Sequence, residues 1–125
     1  MEKIPVLLIE DDAFLAKIYA QKLEDEGFDV SLASNGEDGL KLALREPPAC
    51  VLLDILLPGA DGFEILQKMK AEQALVKVPV VIISNLGQRE DVQKAMSAGA
   101  AGYLIKAHSL PQDVARKVKE ILKMG

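Results

Sequence analysis

The sequence predicts an α/β fold: a five-stranded parallel sheet with helices on both faces. Three observations carry this. Short, wholly apolar runs recur along the chain, of a length that suits strands buried on both faces. Stretches with helical periodicity separate them from end to end. The chain has 125 residues, 50% of them apolar. That is enough to bury one core and too little for two, so residues 1–125 are expected to form a single domain.

The elements follow in order. Val6-Leu7-Leu8-Ile9 reads as the first strand. A helix is expected from about Ala13 to Glu26, with Leu15, Ile18, Tyr19 and Leu23 on its inner face and Gly27 as its stop. Phe28-Asp29-Val30-Ser31-Leu32 alternates apolar with polar, the pattern of a strand near the sheet edge. The second helix, about Glu37 to Arg45, turns Leu40, Ala43 and Leu44 inward and ends before Pro47-Pro48. Cys50-Val51-Leu52-Leu53 is the third strand. Asp61-Gly62-Phe63-Glu64 has the form of a capping box and opens a third helix that buries Leu66 and Met69.

Val80-Val81-Ile82-Ile83 is the fourth strand. The fourth helix, about Gln88 to Ala98, has the sparsest apolar face, with Val92, Ala95 and Met96 directed inward and Gly99 at its end. Tyr103-Leu104-Ile105 reads as a fifth buried strand. Ser109-Leu110-Pro111-Gln112 reads as the capping box of a last helix that buries Val114, Val118, Ile121 and Leu122. Five βα units in succession, joined by right-handed crossovers, permit few topologies. The edge-like second strand fits the order 2-1-3-4-5, which is taken from the general pattern of doubly wound sheets rather than derived from these residues.

Charge and composition exclude several classes. The formal net charge is −4 and no basic run occurs, so nucleic acid and anionic membrane are not expected as direct partners. No apolar run approaches the length of a membrane span. The start, Met-Glu-Lys-Ile-Pro, lacks a long apolar signal region, and the expected location is cytoplasmic. Cys50 is the single cysteine; within an apolar run it reads as a small buried side chain rather than a reactive thiol.

In such a sheet, ligands bind beyond the carboxyl ends of the strands. The first strand ends in Glu10-Asp11-Asp12, the third in Asp54, the fourth in Ser84-Asn85 and the fifth in Lys106. Taken singly these are ordinary: Asp12 is an N-cap, Ser84 a loop hydroxyl, Lys106 a surface lysine. Taken together they converge. Carboxylates crowded at one edge need a cation, and hard oxygen donors favour Mg2+, Mn2+ or Ca2+ over zinc; a small ion with one or two carboxylates suits Mg2+. A carboxylate beside such an ion can act as a nucleophile toward a phosphoryl group. Lys106 and Ser84 can then hold the phosphoryl oxygens.

With these residues in place, the whole chain resembles the receiver domain of two-component response regulators, which has a flavodoxin-like fold. Ile9-Glu10-Asp11-Asp12 resembles the family's acidic motif. Asp54 in Leu52-Leu53-Asp54-Ile55-Leu56-Leu57-Pro58-Gly59-Ala60-Asp61-Gly62 resembles its phosphorylated aspartate and following loop. Ser84 matches the switch hydroxyl, Tyr103 the switch aromatic and Lys106 the lysine. The resemblance implies that Asp11, Asp54, Glu10 and the backbone carbonyl of Leu56 hold Mg2+ or Mn2+. It implies a phosphohistidine donor on a sensor histidine kinase or a histidine phosphotransfer protein, and an output protein or domain that the sequence does not name. Phosphorylation would draw Ser84 to the phosphoryl group and turn Tyr103 inward, changing the surface of the fourth helix, fifth strand and fifth helix. The domain would then be a switch and not a turnover enzyme.

Two positions depart from the family's pattern. Asn85 stands where a small residue is usual, and its bulk is expected to narrow access to the site. Ala107 stands where proline, with a cis bond before it, is usual. Before alanine a cis bond costs about 3–4 kcal/mol, so a trans bond is expected. His108 is expected in a solvated loop. Two competing readings are weighed. A phosphatase of the haloacid-dehalogenase type needs a second carboxylate two residues after its nucleophile, where this chain has Leu56. A receiver-like interaction module that is never phosphorylated would not need its complete set of chemical groups.

Overall fold

A computed structural model of the chain describes residues 2–124. The elements alternate along it: β1 (Ile4–Ile9), α1 (Ala13–Asp25), β2 (Phe28–Ala33), α2 (Gly36–Arg45), β3 (Cys50–Leu53), α3 (Gly62–Ala71), β4 (Val80–Ser84), α4 (Arg89–Ser97), β5 (Gly102–Ile105) and α5 (Pro111–Ile121). A short 3-10 turn, Lys106–His108, joins β5 to α5. The strands form one sheet in the order β2-β1-β3-β4-β5, with every pairing parallel.

Side-chain alternation along the strands divides the core in two. Leu7 and Ile9 of β1, Val51 and Leu53 of β3, and Val80 and Ile82 of β4 pack with Ala43, Ile65, Leu66, Met69 and Ala95 from α2, α3 and α4. Val6 and Leu8, Cys50 and Leu52, and Val81 and Ile83 face the other way, onto Ala16, Tyr19, Leu23, Val114, Ala115 and Val118 of α1 and α5. Each large aliphatic side chain so buried contributes about 1.5–3 kcal/mol of transfer free energy. A slip of one residue in any central strand would exchange its two faces. The packing therefore pins the register, and the register places the strand ends.

Local details follow from local chemistry. Asp12 caps α1 by accepting from the N–H groups of Phe14 and Leu15. Asn35 caps α2, and Asp61 caps α3 by accepting from Glu64 N–H. Gly27 and Gly99, at φ of 100° and 102°, end α1 and α4 in a conformation that side-chain-bearing residues rarely adopt. No peptide bond among the described residues is cis, so Lys106–Ala107 is trans, as the alanine predicts.

The structure corrects several expectations. Tyr103, Leu104 and Ile105 are only partly buried, because β5 lies at the sheet edge and has a neighbour on one side alone. Leu44 and Met96 are exposed; Leu42 packs on the core in place of Leu44. In α4 only Ala95 is fully buried, and Val92 is intermediate. The last helix is capped one residue later than expected. Leu110 occupies the N-cap, Pro111 begins the helix, and the Asp113 carboxylate accepts the Leu110 N–H at 2.8 Å. Ser109 precedes the cap. Cys50 is sealed in the core, where burial pushes its thiol up to about 12. No helix among the described residues is long and apolar enough to cross a membrane.

Candidate functional site

Register brings the site together. Ile9 pairs with Leu53, so Glu10 and Asp54 leave the sheet side by side; Asp54 N–H donates to the Ile9 carbonyl at 3.1 Å. Ser84 pairs with Ile105, which puts Lys106 one position past Ser84 at the same edge. Segments around residues 10, 54, 84 and 106 thus meet through strand pairing alone.

Lys106 Nζ bonds Asp54 Oδ2 at 2.7 Å and lies 2.5 Å from Glu10 Oε1. Glu10 and Asp54 are each 2% exposed. The other Asp54 oxygen accepts the Leu56 N–H at 3.1 Å, and the other Glu10 oxygen accepts the Asp12 N–H at 3.0 Å. Burial pushes the Glu10 carboxyl above its ordinary value; Lys106 opposes the shift and the charge of Asp54 adds to it. Burial also works against the Lys106 ammonium, but its bonds to Asp54 and Glu10 outweigh that and hold its pKa above the usual lysine value. The partly buried ammonium is the partner of both acids.

One lysine does not balance the site. Oxygens of Glu10, Asp11 and Asp54 lie within 4.8 Å of one another. Like charges about 4 Å apart repel by about 4 kcal/mol at an effective dielectric of about 20. Glu10 Oε1 is buried with the Lys106 ammonium, 2.5 Å away, as its one charged partner. Three carboxylates facing one ammonium, with Asp11 exposed and every donor an oxygen, fit a small divalent cation. The residues present therefore suit Mg2+ or Mn2+.

The expected switch residues share a single partner residue, Leu86, one at its N–H and the other at its carbonyl. Ser84, fully buried, accepts the Leu86 N–H at 3.2 Å through its hydroxyl. The Tyr103 hydroxyl donates to the Leu86 carbonyl. Burial, with Asp91 nearby, pushes the Tyr103 phenol up, which keeps it protonated and a donor. The loop after β4 is thus held by the serine from one side of Leu86 and by the tyrosine from the other. Asn85 accepts the Ala107 N–H at 3.0 Å through its side-chain carbonyl. His108 is exposed, as expected of a loop histidine.

Two neighbours of the site were not singled out from the sequence as site residues. A Cβ on Gly62 would lie 2.3 Å from the Asp54 carbonyl oxygen and 2.5 Å from Ile55 Cα, so the first turn of α3 rests against the backbone that carries Asp54. Gly62 N–H donates to the Ile55 carbonyl at 2.8 Å. The signal was the glycine just after the Asp61 cap, which capping alone does not require. Tyr19 on α1 is buried, and its phenol is raised first by that burial and then by Glu10 and Asp54, with Lys106 opposing. Its helical spacing marked it as core only.

Comparison with known proteins shows a family and a shared fold. The sequence profile of the response regulator receiver domain matches residues 6–118. The chain is 32% identical over 118 residues to the DNA-binding dual master transcriptional regulator RpaA of Synechocystis, covering 94% of this chain and 48% of that protein. It superposes on a response regulator receiver domain protein (CheY-like) from Methanospirillum hungatei with a TM-score of 0.89 and 28% identity, covering 98% of this chain and 95% of that one. With the BeF3-activated N-terminal receiver domain of RstA from Klebsiella pneumoniae the TM-score is 0.87 and the identity 25%, covering 96% and 99%. The chain spans about half the length of the curated relatives it matches.

Proposed function

Because the chain belongs to the response regulator receiver domain family, we propose that it is a phosphorylation-controlled signalling switch with Asp54 as its phosphoryl acceptor. The observation that carries this is the pairing of Lys106 with Asp54 at 2.7 Å inside a cluster of three carboxylates. The donor is a phosphohistidine on a sensor histidine kinase or a histidine phosphotransfer protein. An Asp54 oxygen forms the new O–P bond while the P–N bond breaks. The electron pair leaves on the imidazole nitrogen, and the ring departs neutral if its other nitrogen is already protonated.

Glu10, Asp11, Asp54 and the backbone carbonyl of Leu56 would hold Mg2+ or Mn2+. The ion, when bound, supplies positive charge against the negative charge spread over the phosphoryl oxygens. Lys106, already on Asp54, holds one of those oxygens, and Ser84 donates to another once its hydroxyl leaves Leu86. The carbonyl of the same residue holds the Tyr103 hydroxyl, so movement of Ser84 loosens the residue that positions the tyrosine. The change reaches the α4-β5-α5 surface and alters binding of an output protein or domain. The domain performs its own phosphoryl transfer and slow loss and is not a turnover enzyme. A dehalogenase-type phosphatase would need an acid/base two residues past Asp54, where Leu56 offers an exposed aliphatic side chain. The action is cytoplasmic, with no direct nucleic-acid or membrane partner.

The test is treatment with acetyl phosphate or phosphoramidate and Mg2+, read by intact-mass spectrometry. One phosphoryl adduct is expected on the wild type and none on Asp54→Asn, whose amide fills the same space without being a nucleophile. An unmodified wild type would favour an interaction module that is never phosphorylated.

A further inference from the structure

Asn85 follows Ser84 directly, and Ala107 follows Lys106 directly. The hydrogen bond between them, Ala107 N–H to Asn85 Oδ1 at 3.0 Å, therefore joins the two loops that carry the hydroxyl and the ammonium of the site. Ala107 lies within the 3-10 turn Lys106–His108, which has no side-chain cap from its own preceding residue, Ile105. The first N–H groups of such a turn have no partner within it. The turn's own closing bond, Ser109 N–H to the Lys106 carbonyl, is long at 3.3 Å. Asn85 thus caps the turn from a different loop. The bond requires a residue with an N–H at position 107 and a short side-chain acceptor at position 85, and the two positions satisfy each other.

We propose that Asn85 is a positioning residue: by accepting the Ala107 N–H, its side chain ties the loop after Ser84 to the turn that carries Lys106, so that hydroxyl and ammonium are held as one unit. Lys106 has a long flexible stem. Where its Nζ dwells depends on how firmly its backbone is placed, and the placement here comes from β5 on one side and Asn85 on the other. The tie also limits how far the side chain can act as mere bulk over the site, because its carbonyl is held by the backbone of the turn. Loss of the tie leaves the metal ligands where they are and loosens the lysine, so it lowers the rate of phosphoryl transfer and spares Mg2+ affinity.

The rate arm of the test rests on the proposed function; the exchange arm does not. In the full chain, amide hydrogen exchange at Ala107 should speed up about tenfold in Asn85→Ala, the size expected for one ordinary hydrogen bond. Asn85→Asp keeps an oxygen acceptor and should retain the slow exchange. Phosphorylation by phosphoramidate at saturating Mg2+ should slow by about 3–10-fold in Asn85→Ala with the Mg2+ dissociation constant unchanged, again one hydrogen bond's worth. Unchanged Ala107 exchange in Asn85→Ala overturns the tie. So does a faster reaction in that variant, which would make the side chain an obstruction. A wild type that takes no phosphoryl group overturns the proposed function instead, and the exchange arm still decides the tie.

Discussion

Lys106 Nζ lies 2.7 Å from Asp54 Oδ2, a bond across 52 residues of sequence between a residue just past the edge strand and one at the end of a central strand. The same ammonium serves Glu10, so its removal strands two buried carboxylates at once.

Lys106→Met should therefore destabilise the chain in metal-free buffer at neutral pH by about 2–4 kcal/mol, the lower part of the range for an orphaned buried charge because the lysine is not wholly enclosed. The pH dependence has a definite sign. Burial already raises Glu10 above its ordinary 4.5, and the variant removes the lysine that opposes the shift. The folded variant then binds its proton more tightly than the unfolded chain does. That contribution is present at low pH and lost as pH rises through the folded value. The gap between wild type and variant should narrow on acidification from neutral toward the usual carboxylate range. Urea unfolding at several pH values checks this, and a gap that does not change with pH would count against it.

Mg2+ should raise the melting temperature of the wild type. At tenfold excess over the dissociation constant the linkage is about 1.4 kcal/mol, which for a domain of this size is a few degrees. Asp11→Ala should abolish the rise and leave the metal-free melting temperature nearly unchanged, since Asp11 is exposed. Calorimetric or fluorescence melting with and without the ion decides it.

Gly62→Ala is expected to be costly despite alanine's better helix propensity, which would favour it by about 1 kcal/mol. The added methyl would meet the Asp54 carbonyl oxygen at 2.3 Å and Ile55 Cα at 2.5 Å, both backbone atoms that cannot swing aside. Overpacking of this kind costs about 1–3 kcal/mol or more. The variant should lose stability in urea and phosphorylate more slowly, because relief of the clash moves Asp54 itself. A gain in stability would show that α3 is free to back away.

Helix α4 should open locally at lower free energy than β3 or α1. Only Ala95 of α4 is fully buried, and Lys94 lies over the Phe63 ring at 4.2 Å as a tether to α3. Lys94→Ala should lower the opening free energy of α4 by about 0.5–1 kcal/mol, the worth of an exposed cation–π contact. Native-state hydrogen exchange measures this directly. Uniform protection across α4 and the central strands would contradict it.

The strands and the polar residues at their ends, Glu10, Asp54, Ser84 and Lys106, were legible in the sequence, because apolar runs are short and their ends are polar; the strand order came from the general pattern of doubly wound sheets. Burial was legible where a strand has neighbours on both sides, as in Leu52 and Ile82, and misjudged for Tyr103, Leu104 and Ile105, since an apolar run does not reveal that its strand is at an edge. Leu44 and Met96 failed for a related reason: helical spacing gives a face, and the neighbouring element decides how wide that face is. The Asp113 cap escaped notice because Ser109 offered a more conventional one a residue too early. The Asn85–Ala107 bond joins positions 22 residues apart and leaves no local pattern. Each residue alone looked only like a departure from a family habit.

The edge position of β5 bears on the order in which the chain acquires its balance of charge. Glu10 and Asp54 follow strands that pair directly with each other, whereas Lys106 follows β5, one of the two edge strands, and comes after both acids along the chain. N-terminal parts of a chain leave the ribosome first. A nascent sheet of β1, β2 and β3 would hold its acids together before their counter-ion exists. The docking of β5 therefore brings more than apolar cover: it carries the ammonium to acids that the inner strands have already placed together.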